Sequence, residues 1–159
     1  MSKTPESDRS GGELPLREFL TYRLNRLHGR LHAQGTRYLA QHADITVSEW
    51  RAIAMISDLG QTTLTAISRE GQLDKGLLSR TIKSLIARNY VQARQDLKDQ
   101  RVQLLKLTRK GQSLFDRTLP RMQARQRFLR SSLNDEELET LFRAFDKLDQ
   151  AAEETEFTK

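Results

Sequence analysis

The chain has 159 residues, of which 36% are hydrophobic and 30% charged, with a formal net charge of +6 and no cysteine. That length bounds it to one domain with helical extensions, and the lack of thiols excludes disulfides, thiol redox sensing and cysteine-based zinc sites. No apolar run approaches the roughly 18 residues of a membrane span, and no signal-peptide pattern opens the chain. No membrane partner and a cytoplasmic location are therefore expected.

Residues 1–13 are small and polar and are expected to be disordered. A first helix is predicted from about Leu16 to Gln41, because Leu16, Leu20, Leu24, Leu27 and Leu31 recur at spacings of three and four. Its predicted length, about 39 Å at ~1.5 Å per residue, exceeds what a small domain needs for its own core. A second helix opens with the capping box Thr46-x-x-Glu49. Trp50, Ile53, Ala54 and Ile56 form its apolar side, and Gly60 is its predicted stop.

Thr63 can cap a short third helix from Leu64 to about Glu70. A tight turn containing Gly71 follows, and Asp74 is a good N-cap for a fourth helix. Leu73 and Leu78 are placed to form a hydrophobic staple across that start. Two capped helices joined by a short turn containing glycine make a helix-turn-helix pattern. Leu78, Ile82 and Leu85 are the predicted buried stripe of the fourth helix, and Asn89 can close it in a left-handed conformation. Val91–Gln95 and Val102–Leu107 are β-prone, and the polar loop between them makes a hairpin with a charged tip.

Thr108 is a predicted cap for a fifth helix. Pro120 inside it predicts a kink near Thr118–Pro120 or a break there, since proline removes a hydrogen bond at a cost of about 3 kcal/mol. Asn134-x-x-Glu137 is a second capping box. Leu138, Leu141, Phe145, Leu148 and Ala152 then repeat as an a/d stripe of two heptads.

Charge is unevenly placed. From Lys75 to Lys110 there are ten Lys/Arg against Asp96 and Asp99, a local balance of +8 that leaves −2 for everything else. Residues 133–159 carry nine acids and three bases, so the last helix is not expected to face an anion. A positive charge gathered in one helix-plus-hairpin unit points to nucleic acid.

In this order of elements the chain resembles the MarR family of winged-helix transcriptional regulators. The likeness is carried by I-T-V-S-E-W-R at 45–51, L-D-K-G-L-L-S-R at 73–80, and Asp99-x-Arg101 leading through V-Q-L-L-K-L-T-R-K-G at 102–111. It implies a mainly α fold with a small β-hairpin, a winged helix-turn-helix with long N- and C-terminal dimerisation helices. The corresponding domains are a dimerisation helix at 14–44, a DNA-binding domain at 45–110 and C-terminal dimerisation helices at 111–159. Many members carry Asp-Arg-Arg in the wing, and this chain has Asp99-Gln100-Arg101. One basic contact fewer predicts weaker affinity rather than lost binding.

The resemblance places the recognition helix, 74–88, in the major groove and the wing, 95–102, in the minor groove. Lys75, Gly76, Leu77, Ser79, Arg80 and Lys83 lie off the buried stripe. Arg80 is the expected base contact, because a guanidinium can bond O6 and N7 of guanine together, and Leu77 can touch a thymine methyl. Lys75 and Lys83 are expected at phosphates. In the wing, Lys98, Asp99 and Arg101 are the candidates. Arg101 resembles the family's minor-groove arginine, with the Asp99 carboxylate expected to hold its side chain.

The family also implies a homodimer, with Leu16, Leu20, Leu138, Leu141, Phe145 and Leu148 in its interface. Two recognition helices then lie about one DNA turn apart and read a pseudo-palindromic operator on double-stranded DNA. Members often bind small aromatic or phenolic acids, for which Tyr22, Arg23, Arg26, His28, Trp50 and Arg51 are the candidates here. Arginine in that setting would pair with a carboxylate.

His28 and His32 stand at i, i+4, a spacing that can hold a metal, but no Cys or carboxylate stands beside them. No metal or cofactor is expected. No nucleophile–base pair or Gly-rich phosphate loop is present, and an enzyme is not expected. The function read from the sequence is a homodimeric, sequence-specific DNA-binding regulator, a repressor relieved by a small aromatic or phenolic acid. The alternatives are a protein–protein interaction module and a small-ligand binding protein with incidental DNA affinity.

Overall fold

The structure is a computed structural model that describes residues 14–155. The expected disorder of residues 1–13 lies outside the described residues. The chain divides into two units, one ending at Trp50 and one starting at Arg51.

In the first unit, Pro15 (ψ 139°) and Phe19 (ψ 128°) are extended and bracket a single 3-10 turn, Leu16–Glu18. The long helix α1 starts only after it and runs Leu20–His42. Leu16 is therefore not on the same helix as the rest of the leucine stripe, contrary to the sequence expectation. The extended Phe19 cannot carry the helical hydrogen-bond ladder through. Of the α1 residues only Gly35 and Leu39 are buried. Leu20, Leu24 and Leu27 are exposed among the described residues. Thr46 and Glu49 form the expected capping box: the Thr46 N–H donates to Glu49 Oε2 (2.9 Å) and the Glu49 N–H to Thr46 Oγ1 (3.1 Å). This box starts α2, Val47–Leu59.

The second unit takes the rest of α2, with Ala52, Ile53 and Ile56 buried, and closes that helix at Gly60 in the left-handed region (φ +69°). The following elements are β1 Thr62–Thr63, α3 Leu64–Glu70, α4 Lys75–Ala87, β2 Val91–Gln95, β3 Gln103–Leu107, α5 Arg109–Arg130 and α6 Asp135–Ala151. The expected hairpin is one part of a three-stranded antiparallel sheet in the order β1-β3-β2. Thr62 pairs with Leu105 and Thr63 with Leu104. Two β-branched residues suffice for β1 because the edge of β3 already offers it partners. Val91, Leu105 and Leu107 point into a core shared with Ile53, Ile56, Ile67, Leu78, Ile82, Leu85 and Leu114.

Helix α5 runs unbroken through Pro120. Of the two expected outcomes, a kink or a break, the break does not occur. Leu114, Thr118 and Met122 are buried on both sides of the proline, and that packing outweighs the roughly 3 kcal/mol a mid-helix proline costs. Asn134 and Glu137 form the second capping box, at 2.8 and 2.9 Å. None of the residues of α6 is buried, although its apolar stripe is regular.

Candidate nucleic-acid interface

The turn between α3 and α4 is built from local rules and one long-range contact. Thr63 Oγ1 caps α3 by accepting the Ala66 N–H at 3.1 Å. The helix ends in a Schellman motif: the Leu73 N–H donates to the Ser68 carbonyl (2.9 Å) and the Gln72 N–H to that of Arg69 (3.3 Å). The left-handed residue of this motif is Gln72 (φ 47°), not Gly71, whose backbone is right-handed. Gly71 is closely packed instead. A β-carbon there would stand 2.7 Å from Met55 Sδ of α2. Ser68 Oγ donates to the Leu73 carbonyl at 2.7 Å and ties the turn down from inside.

Asp74 then caps α4 as expected, its Oδ1 accepting the Leu77 N–H at 2.7 Å. Leu78, Thr81, Ile82 and Leu85 are buried on one side of α4. Thr81 Oγ1 donates to the Leu77 carbonyl at 3.0 Å and so is satisfied within the helix. Asn89 closes α4 with φ 60°, again as a Schellman motif, with Tyr90 N–H to the Leu85 carbonyl at 2.8 Å and Asn89 N–H to that of Ile86 at 2.9 Å. Both ends of the helix are thus fixed, and its outward side is presented as a rigid surface. Lys75, Gly76, Leu77, Arg80 and Lys83 are all exposed there, and Ser79 is half-buried. Leu77 is 48% exposed and is free to meet an apolar group on a partner.

The wing tip has its own internal frame. Asp96 N–H donates to the Val102 carbonyl and Val102 N–H to the Asp99 carbonyl, each at 2.9 Å. Asp96 Oδ1 accepts the Lys98 N–H at 2.6 Å. Asp99 Oδ1 accepts the backbone N–H of Arg101 at 2.9 Å. This corrects the expectation that Asp99 grips the Arg101 side chain. The carboxylate sets the backbone of Arg101, and the guanidinium projects from it into solvent. Lys98, Asp99 and Arg101 are all exposed.

The ligand candidates are more scattered. On α1, Arg23, Arg26 and His28 are exposed and Tyr22 is half-buried. Trp50 is buried. Arg51 points to the helix-turn-helix: its Nη2 donates to the Gly71 carbonyl at 3.4 Å, where a cation complements the negative end of α3. Arg51 and Ser68 are positioning residues for the turn that the sequence does not single out in that role. Both act on residues 5 or 20 positions away, beyond the reach of helical periodicity. Among the described residues no group of three or more His, Cys, Asp and Glu could hold a metal ion, and no helix is long and apolar enough to cross a membrane.

Comparisons with known proteins agree with this geometry. Residues 43–102 match the model of the MarR family. A comparison with curated proteins finds no match. Among solved structures, a MarR/EmrR family transcriptional regulator from Acinetobacter sp. ADP1 is similar at 25% identity, with a TM-score of 0.82 over 89% of this chain and 100% of that one. BpsR of Bordetella bronchiseptica, whose DNA binding is regulated by 6-hydroxynicotinic acid, is 20% identical, with a TM-score of 0.79 over 87% of this chain and 98% of that one. A mutant MarR of E. coli complexed with operator DNA is 22% identical, with a TM-score of 0.70 over 85% of this chain and 99% of that one.

Proposed function

We propose that this winged-helix chain, which matches the MarR family over residues 43–102 and is similar throughout to a solved regulator of that family, acts as a homodimeric, sequence-specific repressor of transcription, relieved by a small aromatic or phenolic acid. The observation that carries the DNA-binding part is the outward side of α4. A helix fixed at both ends presents Arg80 and Lys83 away from its buried stripe. Arg80 suits a guanine edge in the major groove, Lys75 and Lys83 suit phosphates, and Gly76 leaves room for close approach. The wing adds Arg101, whose backbone is preset by Asp99. A preordered arginine suits the narrow, electronegative minor groove of A·T-rich DNA.

The dimer reading is supported by the uncovered apolar stripes of α1 and of α6. A second copy supplies the cover, and a two-fold dimer spaces its recognition helices by about 34 Å, one turn of duplex. A dimer seated over one turn excludes other proteins from that stretch, which favours repression. The effector reading is supported by the solvent-accessible Arg23 and Arg26 guanidiniums, which can pair with a carboxylate. BpsR, whose DNA binding is regulated by 6-hydroxynicotinic acid, a hydroxylated aromatic acid, adds to it. Such a ligand acts by favouring a dimer geometry whose helix spacing does not match the operator.

Selection of bound duplex from a random pool tests the reading. A two-fold symmetric consensus is expected, and Arg80→Ala is expected to flatten preference at one position per half-site, while Lys83→Ala weakens binding to all sequences alike. A pool that yields no enriched sequence, or an Arg80→Ala protein with unchanged preference, would reject it.

A further inference from the structure

Beside the Arg101 tip the wing has a further cationic surface, which shares Lys98 with the tip. Along β2 and β3 alternate residues face away from the core. Gln92 pairs with Lys106 and Arg94 with Leu104 across the ladder, so these four side chains share one face. That face, with Gln61 and the tip residues Gln95, Asp96, Leu97 and Lys98, walls an open cavity of about 570 Å³.

Three cations, Arg94, Lys98 and Lys106, line it against the single acid Asp96. That acid is occupied: its Oδ1 accepts the backbone N–H of Lys98 at 2.6 Å and that of Asp99 at 3.4 Å. These hydrogen bonds orient the carboxylate and leave its charge in place, so the face keeps three cations against one acid, a balance of +2. Gln61, Gln92 and Gln95 add amide groups that can donate to oxygen acceptors. Leu97 at the tip is fully exposed, with a relative exposure of 101%, so the rim of the cavity is open to a partner.

We propose that this outward face of the wing sheet is a second DNA-backbone site, in which Arg94, Lys98 and Lys106 take successive phosphates of the duplex that flanks the operator. The inference rests on the DNA-binding reading above and extends its footprint. Charge complementarity selects the occupant: cations set on a paired β-ladder are held in place at little further entropic cost. Continuity selects it too, since Lys98 belongs both to the wing tip and to this cavity. From Val91 to Gln95 the strand β2 covers about 13 Å at ~3.3 Å per residue. That matches about four base-pair steps at ~3.4 Å each. The contacts are to phosphates, so they add affinity and salt dependence without adding sequence preference.

The experiment measures binding across a salt series on two duplexes that carry the selected operator. One ends at the operator edge, and the other has flanks of about eight base pairs on each side, twice the span of the face. Wild type is expected to bind the longer duplex more tightly and with a steeper salt slope. Arg94→Gln/Lys106→Gln is expected to match wild type on the short duplex. On the long one its slope of log K against log salt should be shallower by about 2 per subunit, from ~0.9 for each phosphate lost. Arg94→Lys/Lys106→Arg is expected to keep the gain from the flanks. Equal slopes for wild type and the double Gln variant on the long duplex overturn this inference alone. A wild-type protein that binds neither duplex overturns the DNA-binding reading with it.

Discussion

The backbone of Gly111, in the first turn of α5, lies so close to Tyr90 that a β-carbon there would overlap the Tyr90 carbonyl oxygen and sit 2.9 Å from its carbonyl carbon. Around this contact Thr108 donates its N–H to the Tyr90 carbonyl (3.0 Å) and its hydroxyl to the Asn89 carbonyl (2.7 Å). Thr108 Oγ1 also accepts the Gly111 N–H at 3.0 Å. The Tyr90 ring is held between the Lys110 ammonium (4.6 Å) and the Arg88 guanidinium (5.1 Å). One joint thus fastens the end of α4 and the start of the β2–β3 hairpin to the helix α5.

Gly111→Ala is expected to destabilise the protein strongly. The group that must yield is the Tyr90 backbone carbonyl, already bonded to the Thr108 N–H, so the clash cannot relax by a side-chain rotation. A cost of about 3 kcal/mol is expected, equivalent to a fall in Tm of roughly 6–12 °C. Thermal unfolding by circular dichroism measures it, and a Tm within a degree of wild type contradicts the joint.

Gln72→Gly is expected to act in the opposite direction. A left-handed residue other than glycine costs roughly 1–2 kcal/mol, while glycine loses about 0.5–1 kcal/mol through the freedom of the unfolded chain. The first effect is larger, so a net gain of about 0.5–1 kcal/mol should appear in urea denaturation. A loss of stability would mean that the Gln72 side chain contributes more than its backbone costs.

The Asp99 contact makes a prediction about chemistry rather than charge. An amide oxygen can accept the Arg101 N–H as a carboxylate does, so Asp99→Asn should bind operator DNA about as well as wild type. Asp99→Ala loses the acceptor and should bind several-fold more weakly, about 1 kcal/mol for one hydrogen bond. If the two variants were equally impaired in a fluorescence-anisotropy titration, the carboxylate would be acting on the guanidinium instead.

Leu141 and Phe145 are 36% and 40% exposed on α6, and Phe142 beside them is 46% exposed with the Arg130 guanidinium 5.5 Å from its ring centroid. Placing charge at the uncovered positions should prevent a second copy from seating there. Leu141→Asp/Phe145→Asp is expected to sediment as a folded monomer and to lose operator binding. A dimer that persists at micromolar concentration would move the interface elsewhere.

What could be read from the chain alone follows from the range of the forces involved. Both capping boxes, the Asp74 and Thr108 caps, the Asn89 terminator and the buried stripe Leu78–Ile82–Leu85 depend on residues three to five positions apart. Their spacing is written in the linear order. The cationic helix-plus-hairpin was visible for the same reason, since charge adds along the chain. The strand β1 was not visible, because Thr62–Thr63 becomes a strand only when the β3 edge is brought beside it. Neither was the division of labour in the turn, where Gly71 yields space to Met55 while Gln72 takes the left-handed backbone. The continuity of α5 through Pro120 is of this kind too, since long-range packing overrides a local rule. The Asp99–Arg101 contact is local, two positions apart, but spacing alone leaves open whether the carboxylate meets the guanidinium or the backbone N–H, and it meets the backbone. Local hydrogen bonding and periodicity decided which elements form. Only the folding of distant segments against each other decided which atoms each functional residue touches, because close approach and backbone pairing across the sheet have no signature in sequence spacing.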